Sequence, residues 1–121
     1  MKRERAVPPD DITPEAFFTR WVPEAVGSDP ERLARLGHDP HTLEFELEGP
    51  GGGVFTLELS DGAVRGRTGA AENADLRVRV DVDTWRLLNR GEMSAPEAFL
   101  RRRVHLRGNL LLAVKLHLIL G

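Results

Sequence analysis

The sequence contains no cysteine among its 121 residues. This absence excludes a disulfide framework, a thiolate nucleophile and a cysteine-ligated zinc site. A chain without cysteine suits a reducing compartment, so we expect a cytoplasmic protein. The start of the chain, MKRERAVPPDD, is charged and no apolar stretch follows it, which argues against a secretory signal.

Aromatic residues are missing from the most basic part of the chain. The net charge is −2, with 6 Lys/Arg against 12 Asp/Glu in residues 1–60 and 11 against 7 in residues 61–121. Nucleic-acid-binding domains combine a basic surface with aromatic or amide side chains that stack on or read the bases. No aromatic residue follows Leu100, so we expect no nucleic acid partner.

The composition predicts a single globular domain. An apolar fraction of 40% is ordinary for such proteins, and 121 residues suffice for one core. Consecutive prolines in VPPDD cannot donate backbone hydrogen bonds, so residues 1–12 are predicted to form a flexible tail. The domain then covers residues 13–121. An excess of arginine over lysine, 15 to 2, suggests a bacterial gene.

Two short helices are predicted before the first strand. Thr13 is placed to cap the first helix, which has Phe17 and Trp21 on its inward face, and Pro23 is expected to limit its length. The stretch SDPERLARLG has the same cap-and-proline start and ends in glycine. It predicts the second helix.

Apolar and polar residues alternate from residue 42 onward. TLEFELE and VFTLELS predict two strands joined by the glycine-rich turn GPGGG, and SDG leads into a weaker third strand, AVRGRT. NADLRVRVDV predicts a strong fourth strand. The alternation indicates a sheet with one dry face and one wet face.

The remainder of the chain predicts three helices and a fifth strand. Asp83 is placed to cap the first of these helices, and SAPEAFLR begins the second with the spacing of a capping box. In RRRVHLR, Val104 and Leu106 alternate with basic residues, which predicts a strand. The final helix follows in GNLLLAVKLHLIL, with Asn109 as its cap.

No motif for catalysis, a metal or a cofactor is evident. GPGGG lacks the Lys-Ser/Thr ending of a phosphate-binding loop, and no serine or threonine has the context of a nucleophile elbow. His38, Asp39 and His41 lie together, but no further ligand cluster accompanies them. We therefore expect a protein that is not an enzyme and holds neither metal nor cofactor.

Two features remain open at this point. Arg101, Arg102 and Arg103 form either a solvated face or a contact with anionic lipid headgroups. The final helix is apolar on all sides, and its twelve residues, 109–120, are too few for a bilayer span of about 20 residues. Its excess apolar surface is either buried by protein, within the domain or in a dimer, or lines a ligand cavity.

From Ala74 to Leu120 the sequence resembles the sterol carrier protein type 2 (SCP-2) family of lipid-binding domains. The matching positions are Ala74-Asp75, Asp83, Gly91-Glu92, Ala98-Phe99, Val104 and Leu106 among basic residues, Gly108-Asn109, and Lys115-Leu116. Two positions depart from the pattern. Arg102 stands where the family usually has glycine, and Asn109 replaces the usual aspartate, to which it is equivalent as a helix cap. The strands before Ala74 fit the family order more loosely.

The resemblance implies an α+β fold with a five-stranded sheet covered by helices on one face. The expected strand order along the chain is a three-strand meander, a crossover, and then a strand-helix-strand unit. Between sheet and helices the family has an apolar tunnel for lipids. The implied function is the non-enzymatic binding of a fatty acid, acyl-CoA, phospholipid or sterol-like molecule, for transfer or presentation.

The side chains that we expect on the tunnel wall are large and apolar. They are Phe17, Trp21, Trp85, Leu88, Met93, Phe99, Leu106, Leu110, Val114 and Leu118. Expected partners are a lipid and, transiently, an anionic membrane surface. An alternative function is an interaction module with a filled cavity, which dimerises or assists an enzyme through the final helix.

Overall fold

The computed structural model describes residues 7–120, without the side chains of residues 33, 36, 119 and 120. Its centre is one five-stranded sheet in the order β3-β2-β1-β4-β5. The strands are β1 His41–Glu48, β2 Gly53–Ser60, β3 Ala63–Thr68, β4 Leu76–Asp81 and β5 Val104–Gly108. β1, β2 and β3 form an antiparallel meander, β4 lies parallel to β1, and β5 lies antiparallel to β4. The predicted fold class and strand connections are confirmed.

The alternation of apolar and polar residues places the core on one face of the sheet. Leu43 on β1 lies opposite Leu57 on β2 and Leu76 on β4, and all three side chains are almost completely buried. Glu46 and Glu48, on the other face of β1, are exposed. Because side chains alternate across a strand, this register places the apolar side chains of neighbouring strands on the same face, which is the dry face predicted from the sequence.

The crossover from β3 to β4 is attached to the polar face. Glu44 of β1 accepts a hydrogen bond from the backbone N–H of Ala71 at 2.8 Å and another from the Arg77 guanidinium at 2.5 Å. Burial of the Glu44 carboxyl opposes its ionisation, but these donors outweigh that effect and lower its pKa. The ionised carboxylate therefore joins the crossover segment, β1 and β4.

The first helix, α1, is longer than predicted and covers residues 14–27. It consists of α-helical Pro14–Ala16, a π-helical segment Phe17–Trp21 and α-helical Val22–Gly27. The Thr13 hydroxyl caps it by accepting the Ala16 N–H at 3.1 Å. The expectation that Pro23 limits its length is wrong. Pro23 stands in the first turn after the π-helical segment, where the hydrogen-bond ladder changes register and the missing N–H is tolerated.

The other helices are α2 Pro30–Leu36, α3 Val82–Arg90, α4 Ala95–Leu100 and α5 Leu110–Leu120. Ser94 and Asn109 cap α4 and α5 as predicted. Asp83 does not cap α3. The cap is Asp81, the last residue of β4, because the chain turns directly from strand into helix and Asp81 accepts from the Thr84 N–H at 2.9 Å.

α1 packs directly against β3 at Gly66. A Cβ atom at this glycine would lie 1.8 Å from the carbonyl oxygen of Phe18, so any larger residue would push the helix off the sheet. At the opposite edge of the sheet, Arg102 precedes β5 with a φ of 59°. Glycine adopts this left-handed conformation without strain, which accounts for the glycine of the family pattern.

The segment ahead of Thr13 contacts the domain through Pro8 and through the backbone of Asp10 and Ile12, whereas residues 1–6 of the predicted tail are outside the described residues. Pro8 is buried, and the Arg86 guanidinium donates to the carbonyl oxygens of Asp10 at 3.0 Å and Ile12 at 2.6 Å. The packed part of the domain thus includes residues ahead of the Thr13 cap.

Candidate functional site

A cavity of about 420 Å³ lies between the dry face of the sheet and the helices. Its volume falls within the range of pockets that take small-molecule ligands. The sheet contributes one side of the wall, formed by Phe45, Leu57, Leu76, Val78, Val80, Val104 and Leu106. The helices and their connections contribute the other side.

Aromatic side chains of α1 and α3 form the helical side of the cavity. Phe17 stacks on Trp21 with ring centroids 5.3 Å apart, and it meets Trp85 edge-on at the same centroid separation. Phe18 packs against Phe45 of the sheet at 4.7 Å. All four helix residues of this group line the cavity: Phe17, Phe18, Trp21 and Trp85. They are linked to one another and to the sheet, so this part of the wall is firmly packed.

The cavity opens between α5 and the segment from the end of α3 to α4. A residue that lines the cavity and is also exposed to solvent marks its opening. The residues with both properties are Gly91, Ser94, Ala95, Phe99 and His117. Phe99 is the largest of them and is 49% exposed. It belongs to the rim rather than to the interior.

Seven of the ten expected wall residues line the cavity: Phe17, Trp21, Trp85, Leu88, Met93, Phe99 and Leu106. The other three, Leu110, Val114 and Leu118, do not line it, and each is more than half exposed. They lie on the outer face of α5. Their place on the wall is taken by Ala113, Leu116 and His117.

The prediction failed for these three residues because α5 is apolar on all sides. Its sequence pattern therefore does not indicate which side of the helix faces the sheet. Leu112 is buried in the core, whereas its neighbour Leu111 is 78% exposed, although the two residues are chemically identical. Only packing against the sheet decides between them. Of the seven sheet residues of the wall, the prediction named only Leu106, although the alternation of the strands had assigned all seven to the dry face.

The wall carries little polarity. Among the described lining residues the only polar side chains are Asn89, Ser94 and His117, apart from the indole N–H groups of Trp21 and Trp85. The Trp85 Nε1 is buried and makes no hydrogen bond with any described residue. No group of three or more His, Cys, Asp or Glu that could hold a metal occurs in residues 7–120. The cavity is therefore suited to an apolar ligand.

The three consecutive arginines before β5 have different environments. Arg101 forms an ion pair with Glu97 at 3.0 Å, and Arg102 is exposed. Arg103 is half-buried, and its charge acts on Asp81. Burial raises the pKa of Asp81, but the hydrogen bonds from Thr84 and the Arg103 charge outweigh this and lower it. Two of the three charges are thus engaged within the domain.

No helix in residues 7–120 is both long enough and apolar enough to cross a membrane. This finding includes α5. Packing against the core and the cavity accounts for the apolar residues on only one side of this helix. The outer face of this helix is therefore a separate feature of the surface.

Residues 19–121 match the sequence model of the SCP-2 sterol transfer family. The chain belongs to this family. Membership supports a role in lipid binding or transfer in general, and it agrees with an apolar cavity between the sheet and the helices. No curated protein sequence matches the chain.

Solved structures of SCP-2 domains share this fold. The sterol carrier protein domain 2 of Helicoverpa armigera is 21% identical with a TM-score of 0.67, covering 93% of this chain and 89% of that one. Palmitated SCP2L2 from Aedes aegypti is 16% identical with a TM-score of 0.61, covering 81% of this chain and 93% of that one. At these identities the likeness concerns the fold.

A likeness to part of a larger enzyme accompanies these matches. The inverting sec-alkylsulfatase Pisa1 from Pseudomonas sp. is 22% identical with a TM-score of 0.70. The match covers 91% of this chain but only 16% of that enzyme. This SCP-2 domain therefore corresponds to about one sixth of the sulfatase chain.

Proposed function

We propose that this SCP-2 domain binds a hydrophobic lipid in its cavity and does not itself catalyse a reaction. A fatty acid, an acyl-CoA, a phospholipid or a sterol-like molecule fits this role. The observation that carries the proposal is the apolar cavity of about 420 Å³ with an opening to solvent. Its position between sheet and helices is the one that the family pattern implies for the lipid.

The free energy available from such a cavity is sufficient for binding. Each methylene removed from water contributes about 0.8 kcal/mol, so a chain of about twelve methylenes gains roughly 10 kcal/mol before the cost of lost mobility. The packed aromatic wall reduces that cost, because it does not have to be ordered when the ligand enters. Binding therefore needs no covalent step.

The polar groups at the opening support a non-enzymatic role. Ser94 and His117 both border the cavity, yet no hydrogen bond joins these two described side chains. The Ser94 hydroxyl instead accepts the Glu97 N–H at 3.2 Å as the cap of α4. An activated nucleophile requires a base within hydrogen-bond reach, and this serine is engaged in holding a helix.

The test is direct detection of bound lipid. Native mass spectrometry and organic extraction of the purified protein should reveal a co-purified lipid, and a fluorescent fatty acid should bind at micromolar concentration. Absence of both would overturn the proposal.

A matched pair of variants then localises the binding. Ala113→Phe places a ring into the cavity and should weaken fatty acid binding at least tenfold, whereas Val114→Phe places the same ring on the outer face and should leave binding unchanged. Thermal unfolding of both variants checks that the fold persists. Equal affinity in the two variants would place the lipid elsewhere.

A second candidate is an interaction module that dimerises or serves an enzyme. The observation in its favour is the outer face of α5, where Leu110, Leu111, Val114 and Leu118 are more than half exposed. Apolar surface of this kind marks interaction sites in soluble proteins. Light scattering across a dilution series distinguishes the candidates, since a dimer that resists dilution and takes up no lipid favours this one.

The proposed setting is the cytoplasm, where a lipid carrier meets anionic membrane surfaces. Arg101 and Arg102 are the exposed members of the arginine cluster, and Arg103 contributes part of its side chain. Each such residue adds up to about 1 kcal/mol near a charged surface. Sedimentation with vesicles that contain phosphatidylserine, compared with neutral vesicles, tests this contact and should show weak, salt-sensitive binding.

A further inference from the structure

The orientation of α5 brings an ionisable side chain, His117, to the largely apolar wall of the cavity. Its cavity-lining residues are Ala113, Leu116 and His117, whereas Leu110, Leu111, Val114 and Leu118 lie on the exposed outer face. His117 borders the cavity and is also exposed to solvent. The helix therefore places its polar residue where a ligand would pass.

The environment of His117 distinguishes it from the other polar residue of α5. The Lys115 ammonium reaches the end of α2, where it lies 3.6 Å from the position a Cβ atom would take at Gly37. This is a favourable place for a cation, because carbonyl groups end the helix there. The His117 imidazole, in contrast, makes no hydrogen bond or ion pair with any described residue. Its donor is available to a ligand.

His117 also stands at the opening rather than deep in the cavity, since it lines the cavity and is exposed. Removing a polar headgroup from water without a partner is costly, so an amphiphile enters tail first and leaves its headgroup at the opening. Of the described lining residues, His117 is the only one whose side chain can carry a positive charge. Other charges near the opening are Glu92, and Glu97 in its ion pair with Arg101.

We propose that His117 is the headgroup-binding residue of this SCP-2 domain. Its imidazole donates a hydrogen bond to a carboxylate oxygen of a single-chain amphiphile, whose alkyl chain extends inward along Phe99 and Leu106. The ligand class is thus a fatty acid or a similar lipid with an acidic headgroup. This inference rests on the proposed lipid binding and adds the ligand's headgroup and its orientation. A hydrogen bond with one ionised partner is stronger than a neutral one, which gives the acid its advantage.

The test compares two ligands that differ only at the headgroup, dodecanoate and 1-dodecanol. Binding is followed by intrinsic fluorescence, because Trp21 and Trp85 both line the cavity. His117→Leu should weaken dodecanoate binding about tenfold and change dodecanol binding less than twofold. His117→Gln retains an N–H donor and should recover part of the affinity for the acid. His105→Leu, on the exposed polar face of β5, is the matched control and should bind both ligands as the parent does.

The outcomes separate this inference from the function on which it rests. If the parent protein binds neither ligand, the proposed lipid binding fails and the role of His117 fails with it. If the parent binds both and His117→Leu keeps full affinity for dodecanoate, only the role of His117 is overturned. An equal loss of affinity for both ligands also overturns it, since a packing role would produce that result.

Discussion

Arg86 donates a hydrogen bond to the carbonyl oxygen of Ile12 at 2.6 Å, and this contact joins α3 to the segment ahead of α1. The same guanidinium reaches Asp10 and lies over the Trp85 ring at 4.8 Å. Pro8, which this segment carries, lines the cavity. A single arginine thus connects the wall of the site to the residues that close one side of it.

We predict that Arg86→Met loosens residues 7–12 and lowers the free energy of unfolding by about 1–3 kcal/mol, since hydrogen bonds from a charged donor are lost. Hydrogen exchange of the Ile12 amide, which donates to the Pro9 carbonyl oxygen at 3.2 Å, measures the loosening. Arg79→Met is the control, because Arg79 meets Glu48 at 3.7 Å on an exposed surface and should contribute below about 1 kcal/mol. Unchanged exchange in the Arg86 variant would show that the segment is held by other contacts.

From the lowered pKa of the Glu44 carboxyl we predict a specific loss of stability in acid. Its pKa is lower in the folded protein than the ordinary value of 4.5, so it contributes stability that is fully present above that value. The contribution is lost as the pH falls through the lowered pKa. Glu44→Gln should therefore destabilise the protein by about 1–2 kcal/mol at pH 7 and progressively less below pH ~4.5.

Urea unfolding of Glu44→Gln and the parent at a series of pH values measures this difference. Glu46→Gln is a matched control on the same strand, because Glu46 is exposed. A difference between Glu44→Gln and the parent that stays constant into acid would contradict the assigned role of the ionised carboxylate.

The cap of α3 provides a prediction in which two neighbouring aspartates behave differently. Asp81 accepts hydrogen bonds from both the N–H and the hydroxyl of Thr84, at 2.9 and 2.6 Å, whereas Asp83 is exposed in the first turn. Asp81→Ala should lower the free energy of unfolding by about 1–2 kcal/mol. Asp83→Ala should lower the free energy of unfolding by less than about 0.5 kcal/mol, because only the interaction of Asp83 with the helix dipole is lost. Equal losses in chemical denaturation would contradict the assignment of the cap.

The same pair shows why the fold could be predicted from the sequence while some boundaries could not. Strict alternation assigned the strands and their dry face, because a shift of one residue would exchange the two faces. Asp81 continues that alternation and so resembled a strand residue, whereas it is also the cap. Pro23 misled in the opposite direction, since proline usually ends a helix and only the π-helical segment before it allows the helix to continue.

The candidate site was predictable where a pattern has direction. Phe17 and Trp21 lie four residues apart on an amphipathic helix, so their inward orientation followed from the sequence. The sequence could not predict the outward orientation of Leu110, Val114 and Leu118, because every face of α5 is apolar. The position of His117 at the opening is a property of the packed helix and has no signal in the spacing.

Arg102 supplies the last prediction, a substitution that increases stability. Its φ of 59° costs a residue with a Cβ atom about 1–2 kcal/mol, and glycine avoids that cost. Arg102→Gly should therefore raise the free energy of unfolding by about 1 kcal/mol, after allowance for the greater freedom of glycine in the unfolded chain. Arg101→Gly is the control, since Arg101 has a φ of −83° and its replacement should destabilise the protein. Urea unfolding of both variants measures the effects, and a loss of stability in Arg102→Gly would show that the arginine side chain contributes more than its backbone conformation costs.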